Sequence, residues 1–198
     1  MEKNKNFFNI YDYLAPIYNL LFKWFLFKSG SLVASHVNKI IKPNKIIIEI
    51  GCGTAYQAKL YKRFKKIILL DPSSRMLDEA RTGLGNKAKS FVFLNIPAEE
   101  LLLEPNTIDF AIFNHSLNVI NKPKEVINTL LKILKSEGQI IINTKLKEKN
   151  ENIFIVIINK ILGVFLQYDS NFSIDFFKEY NHEILFKSKF YQIIIIKK

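Results

Sequence analysis

The chain has 198 residues, 48% of them hydrophobic and 13% aromatic, which allows one domain with a proper core and excludes a disordered polypeptide. Its 29 Lys and Arg against 18 Asp and Glu leave a net charge of +11, which fits a polyanionic partner (nucleic acid or an anionic membrane) and equally a lysine-rich composition, since Lys, Asn and Ile all abound. A single cysteine, Cys52, excludes an internal disulfide and a cysteine zinc site and fits a reducing cytoplasm.

The start, Met1 to Asn9, is polar and basic, with no signal-peptide core and cleavage site behind it. Residues 4 to 28 read as helix in two pieces split near Pro16, and residues 31 to 41 as another helix stopped by Pro43. Leu14 to Phe27 is rich in Leu, Phe and Trp but interrupted by Pro16, Asn19 and Lys23. Ile153 to Leu166 is similarly apolar, broken by Asn159 and Lys160. Each run is about 14 residues, below the roughly 20 needed to cross hydrocarbon, and suits a buried helix or one lying in the interface.

From Lys45 onward strands and helices alternate. A first strand over 45 to 50 leads to a helix over 54 to 64, a second strand over 66 to 71 and a helix over 73 to 82 capped by Ser73 or Ser74. Ser90 to Leu94 and Ile108 to Phe113 read as the third and fourth strands. A helix over 124 to 134, with Pro123 as its first residue, passes through a Ser136-Glu137-Gly138 turn into a fifth strand over 139 to 143. Ile184 to Phe186 and Phe190 to Ile196 are separated by only Lys187-Ser188-Lys189, too short for a crossover helix, so they form an antiparallel hairpin. The expected fold is α/β: a Rossmann-like, doubly wound, mostly parallel seven-stranded sheet with a C-terminal antiparallel hairpin and an N-terminal helical cap. The expected organisation is one domain over 1–198, with the cap at 1–42, a cofactor-binding core at 43–145, and a substrate-side helix and hairpin at 146–198.

The most informative stretch is Glu49-Ile50-Gly51-Cys52-Gly53-Thr54-Ala55, between the first strand and the segment after it. A second aliphatic run, Ile67 to Leu70, ends in Asp71. A strand, a tight glycine turn, a helix and a second strand ending in an acid form a nucleoside half-site, in which the acid accepts hydrogen bonds from both ribose hydroxyls. The turn is not G-x-G-x-x-G, so no pyrophosphate cradle is spelled out. Glu49 sits where a phosphate would be repelled and an ammonium welcomed, which favours S-adenosylmethionine over NAD.

In these motifs the chain resembles the class I S-adenosylmethionine-dependent methyltransferases. Glu49 to Ala55 resembles their first motif, and Leu70-Asp71-Pro72-Ser73-Ser74-Arg75-Met76-Leu77 their second. Ile96-Pro97-Ala98-Glu99-Glu100-Leu101 is similar to their adenine-edge segment, Ile108 to Phe113 to their fourth strand, and Leu134-Lys135-Ser136-Glu137-Gly138 to the turn that follows. Tyr13-Leu14-Ala15-Pro16-Ile17-Tyr18-Asn19 resembles the W-A-P-x-Y-D segment of small bacterial phospholipid N-methyltransferases, which are similar in turn to ubiquinone/menaquinone C-methyltransferases. The pattern departs from the family at four places: Ala55 stands for a glycine, Pro97 for an acid that would bind the adenine amino group, Asn19 for the acid after the tyrosine, and Ser136-Glu137-Gly138 for P-G-G.

The resemblance implies a site. Glu49 orients the cofactor's amino group, Gly51 and Gly53 allow close approach, and Cys52 fills space among them. Asp71 binds ribose, with Pro72 beside it. Met76 covers adenine or packs in the core, and Pro97 and Ala98 flank the base. Asn114 touches the methionine half. His115 accepts a proton from an amine acceptor or is structural. Tyr11 and Tyr18 lie seven apart on one helical face, beside the sulfonium or simply packed, and Tyr18 matches the motif tyrosine. His36 and His182 lack acid or cysteine partners at ligand spacing, so no metal site is expected. The basic, aromatic start (Lys3, Lys5, Phe7, Phe8, Phe22, Lys23, Trp24, Phe25, Phe27, Lys28) suits either a peripheral anionic membrane surface or a cap packed on the sheet.

The resulting expectation is a cytoplasmic methyltransferase, peripheral on the inner membrane face, acting on a lipid or lipophilic small-molecule acceptor, with phosphatidylethanolamine first and a prenylated quinone ring second. The charge of +11 permits an RNA methyltransferase, but no separate RNA-binding module supports one, and Phe113-Asn114-His115-Ser116 stands where an amine-base motif would be. A non-catalytic nucleoside- or partner-binding relative is the third alternative, supported by Pro97 and Ala55.

Overall fold

The computed structural model of the chain describes residues 7–40, 42–147, 169, 172–188 and 191–198, with 153 and 157 as isolated positions. The apolar 153–166 segment and the side chains of the Phe22–Phe27 face lie outside the described residues.

Five aliphatic strands build the centre. β1 (Ile46–Ile50), β2 (Lys66–Leu70), β3 (Phe91–Leu94), β4 (Ile108–Asn114) and β5 (Leu134–Thr144) pair in parallel. β6 (His182–Lys187) and β7 (Gln192–Lys197) form the antiparallel hairpin, and β7 runs antiparallel to β5. The seven strands lie in the order β3-β2-β1-β4-β5-β7-β6. One face buries Ile47, Ile67, Leu69, Phe110, Ile112 and Ile141 beneath α1 (Phe7–Ile40) and α2 (Ser74–Leu84). The other buries Ile48, Ile50, Phe113, Ile140 and Ile142 beneath α3 (Pro123–Ile133) and Phe172 and Phe177. Burial on both faces explains why these strands read as unbroken aliphatic runs rather than alternating ones. At the far end of the sheet from the site, Asp109 accepts hydrogen bonds from Lys45 (2.9 Å), Lys135 (2.8 Å) and the Ile46 N–H (2.9 Å), tying β1, β4 and β5 together.

Three expectations are corrected. The predicted N-terminal helices, split near Pro16 and again before residue 31, are one helix of 34 residues. Pro16 lacks the N–H that would bond the Asp12 carbonyl, but this removes one rung, and the buried face continues on both sides through Ala15, Ser29, Val33, Ala34 and Val37. Ser29 and Gly30, which fall in the gap between the two predicted helices, lie inside that helix; a Cβ at Gly30 would lie 3.3 Å from Gln57 Oε1.

The predicted helix over 54 to 64 is absent, and only Ala58–Leu60 form a short 3₁₀ turn. Its backbone groups are claimed elsewhere. Asn38 of α1 donates to the Leu60 carbonyl (2.8 Å) and accepts from the Lys62 N–H (2.7 Å). Left-handed Ala55 (φ 53°) and Arg63 (φ 57°) bound the segment. Ser136-Glu137-Gly138 is likewise not a turn. β5 starts directly after α3, with Leu134 opposite Ile108 and Gln139 opposite Phe110, so these residues form a bulge within the strand. Ser73 does cap α2, its hydroxyl accepting from the Met76 N–H (3.1 Å), and Pro123 does open α3.

Candidate active site

The order of strands reverses between β1 and β4, and in open α/β sheets ligands bind beyond the carboxyl ends of the strands at such a point. Here those ends meet a cavity of about 550 Å³, within the usual size of a cofactor site. Tyr11, Tyr18, Gly51, Gly53, Asp71, Pro72, Met76, Pro97, Ala98, Asn114 and His115 all line it. Glu49 and Cys52 line a chamber of about 30 Å³ beside it, whose walls share Tyr18, Gly51, Gly53 and Asn114 with the cavity.

The glycine turn is built by backbone conformation. Gly51 (φ 66°) and Gly53 (φ 51°) are left-handed, and the N–H groups of Gly51 and Cys52 both donate to the Leu70 carbonyl. A Cβ at Gly51 would lie 2.5 Å from Ser116 Cβ, so the group demanding glycine there is a serine beyond β4. Ser116 in turn donates to the Ile50 carbonyl. Ala55, where the family pattern has glycine, also takes φ 53°. An alanine tolerates this at a cost of roughly 1–2 kcal/mol.

Asp71 closes the turn from β2. Its carboxylate accepts from the Gly53 N–H (2.7 Å) and the Ser73 N–H (3.0 Å). Burial pushes its pKa up to about 6, the two N–H donors pull against that rise, and the nearby Asp12 adds to it. Asn95 donates to the Asp71 and Pro72 carbonyls (3.1 and 2.9 Å), fixing the loop from the β3 side. Pro97 and Ala98 follow, and Glu99 accepts from the Asn121 N–H (2.9 Å) at the rim.

Glu49 is 1% exposed, and burial drives its pKa up to about 8. Tyr61 donates to it, and Gln57 donates to the Tyr61 hydroxyl. One Glu49 oxygen, Oε2, and the Gln57 oxygen remain buried without a partner. Cys52 is buried, and burial together with Asp71 and Glu49 raises its pKa, so it persists as a thiol and is a poor nucleophile.

Helix α1 crosses the strand ends and is latched to them. Ser73 donates to Asp12, and Thr54 donates to Asn19 (2.6 Å). The Tyr11 and Tyr18 rings lie 6.5 Å apart on the cavity wall. Burial raises both hydroxyls, Tyr18 to about 12, so both are neutral phenols.

At the end of β4, His115 takes φ 58°, and its Nε2 meets Ser29 Oγ (2.8 Å) and Asn143 Nδ2 (3.1 Å). Asn143 also donates to Asn114 (2.6 Å). An amide N–H aimed at Nε2 needs that nitrogen unprotonated, and burial lowers the His115 pKa to about 4. At neutral pH such a group is a weak base.

Asp12, Gln57, Tyr61, Ser116 and Asn143 complete the site, although no sequence pattern marks them as functional. Gln57 and Tyr61 stand four apart, but inside a segment that reads as an amphipathic helix they carry no mark of a polar pair. Asp12 lies next to the resembling segment, and Ser116 and Asn143 match no motif. Among the described residues, no group of three His, Cys, Asp or Glu is placed to hold a metal ion, and no helix is long and apolar enough to cross a membrane.

A sheet in this strand order, with a glycine turn after β1 and a ribose-height acid after β2, defines a nucleoside-binding fold of the class I methyltransferase type. Known proteins agree. Residues 48–142 match the family described as "Methyltransferase domain". Malonyl-[acyl-carrier protein] O-methyltransferase of Anoxybacillus flavithermus is 30% identical over 111 residues, which cover 54% of this chain and 42% of that protein; the match therefore spans less than half the length of that relative. A SAM-dependent methyltransferase of Thermotoga maritima shares the fold with a TM-score of 0.69 at 21% identity, covering 96% of this chain and 99% of that one. A Methanococcus maripaludis protein assigned to the same class gives 0.68 at 20%, covering 100% and 97%. These likenesses support a class I S-adenosylmethionine-dependent methyltransferase, with S-adenosylmethionine as the cofactor.

Proposed function

We propose that this enzyme methylates a lipid or lipophilic small molecule presented at a membrane surface, with the amine of an ethanolamine phospholipid as the first candidate acceptor. One observation carries the reading. On the cap helix, Tyr13, Ile17 and Leu20 are 77%, 47% and 79% exposed, and with Pro16 they form one apolar stripe. By helical spacing this stripe points away from the cavity-lining Tyr11 and Tyr18. An apolar outer face on a basic chain suits the headgroup boundary of an anionic bilayer, with the cavity opening behind it.

The residues fit the cofactor. The orphaned Glu49 oxygen suits an ammonium, Asp71 suits ribose hydroxyls, and Met76, Pro97 and Ala98 give apolar cover for a base. When bound, the cofactor supplies the electrophilic methyl group and its own leaving group. The chain's part is to position and to exclude water: Asp71 would hold the sugar and Glu49 the amino acid end, and Tyr11 and Tyr18 would offer neutral, electron-rich rings to the cationic centre from the cavity wall. Because His115 is a weak base here, an amine acceptor arrives already deprotonated, with His115 and Asn114 shaping the entry.

A second reading is carboxylate O-methylation of a carrier-bound acyl group, favoured by the relative from Anoxybacillus flavithermus. Incubating the full chain with methyl-labelled cofactor and a membrane lipid extract, an acyl-carrier fraction or RNA separates these readings. Label in lipid supports the first, base-labile label on the carrier the second, and label confined to RNA overturns both.

A further inference from the structure

The chamber beside the cavity has about the volume of one water or ammonium group. Two oxygens buried in its wall have no hydrogen-bond partner: Glu49 Oε2 and Gln57 Oε1. Both side chains are 1% exposed. Leaving two buried acceptors unpaired carries their full desolvation cost, so the wall is built for a donor that is not part of the protein. With Glu49 ionised, as an adjoining ammonium favours, both orphans are acceptors, and a cation with several N–H groups satisfies them together.

Resting on the cofactor assignment above, we propose that Gln57 is a second acceptor for the cofactor's α-ammonium group, working with Glu49, and that Tyr61 is the positioning residue that holds both. Tyr61 accepts from the Gln57 amide and donates to Glu49, so the carboxamide oxygen and the second carboxylate oxygen are left over for the ligand. Helix α1 backs the arrangement at Gly30, where a side chain would meet Gln57 Oε1 at 3.3 Å. The neutral amide is the appropriate partner. One carboxylate balances one ammonium, whereas a second carboxylate would leave a buried charge uncompensated.

The test uses the full chain and two probes: S-adenosylhomocysteine, and the analogue in which hydrogen replaces its α-amino group. Calorimetry on Gln57→Met is expected to show S-adenosylhomocysteine binding weakened about tenfold or more, as for a lost hydrogen bond to a charged group, with the deaminated analogue changed less than threefold. Tyr61→Phe, which keeps Gln57 but frees it, is expected to show the same selective loss, more weakly. Should Gln57→Met fail to fold, the selectivity of Tyr61→Phe decides. Equal losses for both probes, or no loss for S-adenosylhomocysteine, would overturn the proposal. Wild-type chain that bound neither probe would remove the cofactor assignment instead, a distinguishable result.

Discussion

Glu49 makes cofactor binding a proton-releasing event. Its folded pKa of about 8 leaves it roughly nine-tenths protonated at pH 7 in the ligand-free protein. An ammonium beside it favours the carboxylate, so binding expels close to one proton at pH 7. Asp71, near 6, contributes only about a tenth of a proton at that pH. Affinity therefore rises with pH, by up to about tenfold per unit, until pH 8. Above that the gain levels off, and affinity falls once the ligand's own α-amino group loses its charge. Stability of the ligand-free protein moves the other way. Both folded values lie above the ordinary carboxyl values of 4.5 and 3.8, so the contribution is fully present below those values. It is lost as pH rises, through 6 for Asp71 and through 8 for Glu49. Calorimetry with S-adenosylhomocysteine at pH 7, in two buffers of different ionisation enthalpy, counts the protons. Melting curves of ligand-free protein from pH 5 to 8 check the second consequence. Identical binding enthalpies in both buffers, or undiminished proton release in Glu49→Gln, would refute the reasoning.

Other substitutions probe the rest of the site. Asp71→Asn keeps one oxygen for the turn but removes the charge, and S-adenosylhomocysteine affinity is expected to fall at least tenfold by calorimetry, with the fold retained by circular dichroism. Gly51→Ala places a methyl 2.5 Å from Ser116 Cβ in a left-handed residue, so urea unfolding is expected to show a loss of about 2–4 kcal/mol, with partial recovery in Gly51→Ala/Ser116→Gly. Ala55→Gly relieves strain of roughly 1–2 kcal/mol but gives up a buried methyl and adds chain entropy, so its unfolding free energy is expected to stay within about 1 kcal/mol of wild type. With its pKa held near 4, His115 is expected to add no inflection to kcat between pH 5.5 and 7.5, and His115→Asn should leave the shape of that profile unchanged.

Most of the site was legible because its chemistry is local in sequence. Glu49, the glycines and Asp71 announce themselves by following aliphatic strands, and the sheet brings those strand ends together. What was illegible depends on contacts made across the fold. The segment after the glycine turn has the composition of a helix, yet Asn38, some twenty residues earlier, takes its backbone groups, and nothing local foretells that. Gln57 and Tyr61 acquire their meaning only from Glu49, and Gly51 is glycine on account of Ser116 as much as of any ligand. The cap misled in the opposite direction. Pro16 and Ser29-Gly30 are breakers by propensity, but packing on the sheet overrides them.

The only thiol in this polypeptide lies in the chamber wall, where it is shielded and slow to ionise. Alkylation by a maleimide therefore works as a built-in gauge of whether that compartment is sealed. Its rate should climb when Asp12 or Asn19 is removed and the lid loosens, and drop when nucleoside occupies the niche. No engineered label is needed for that measurement.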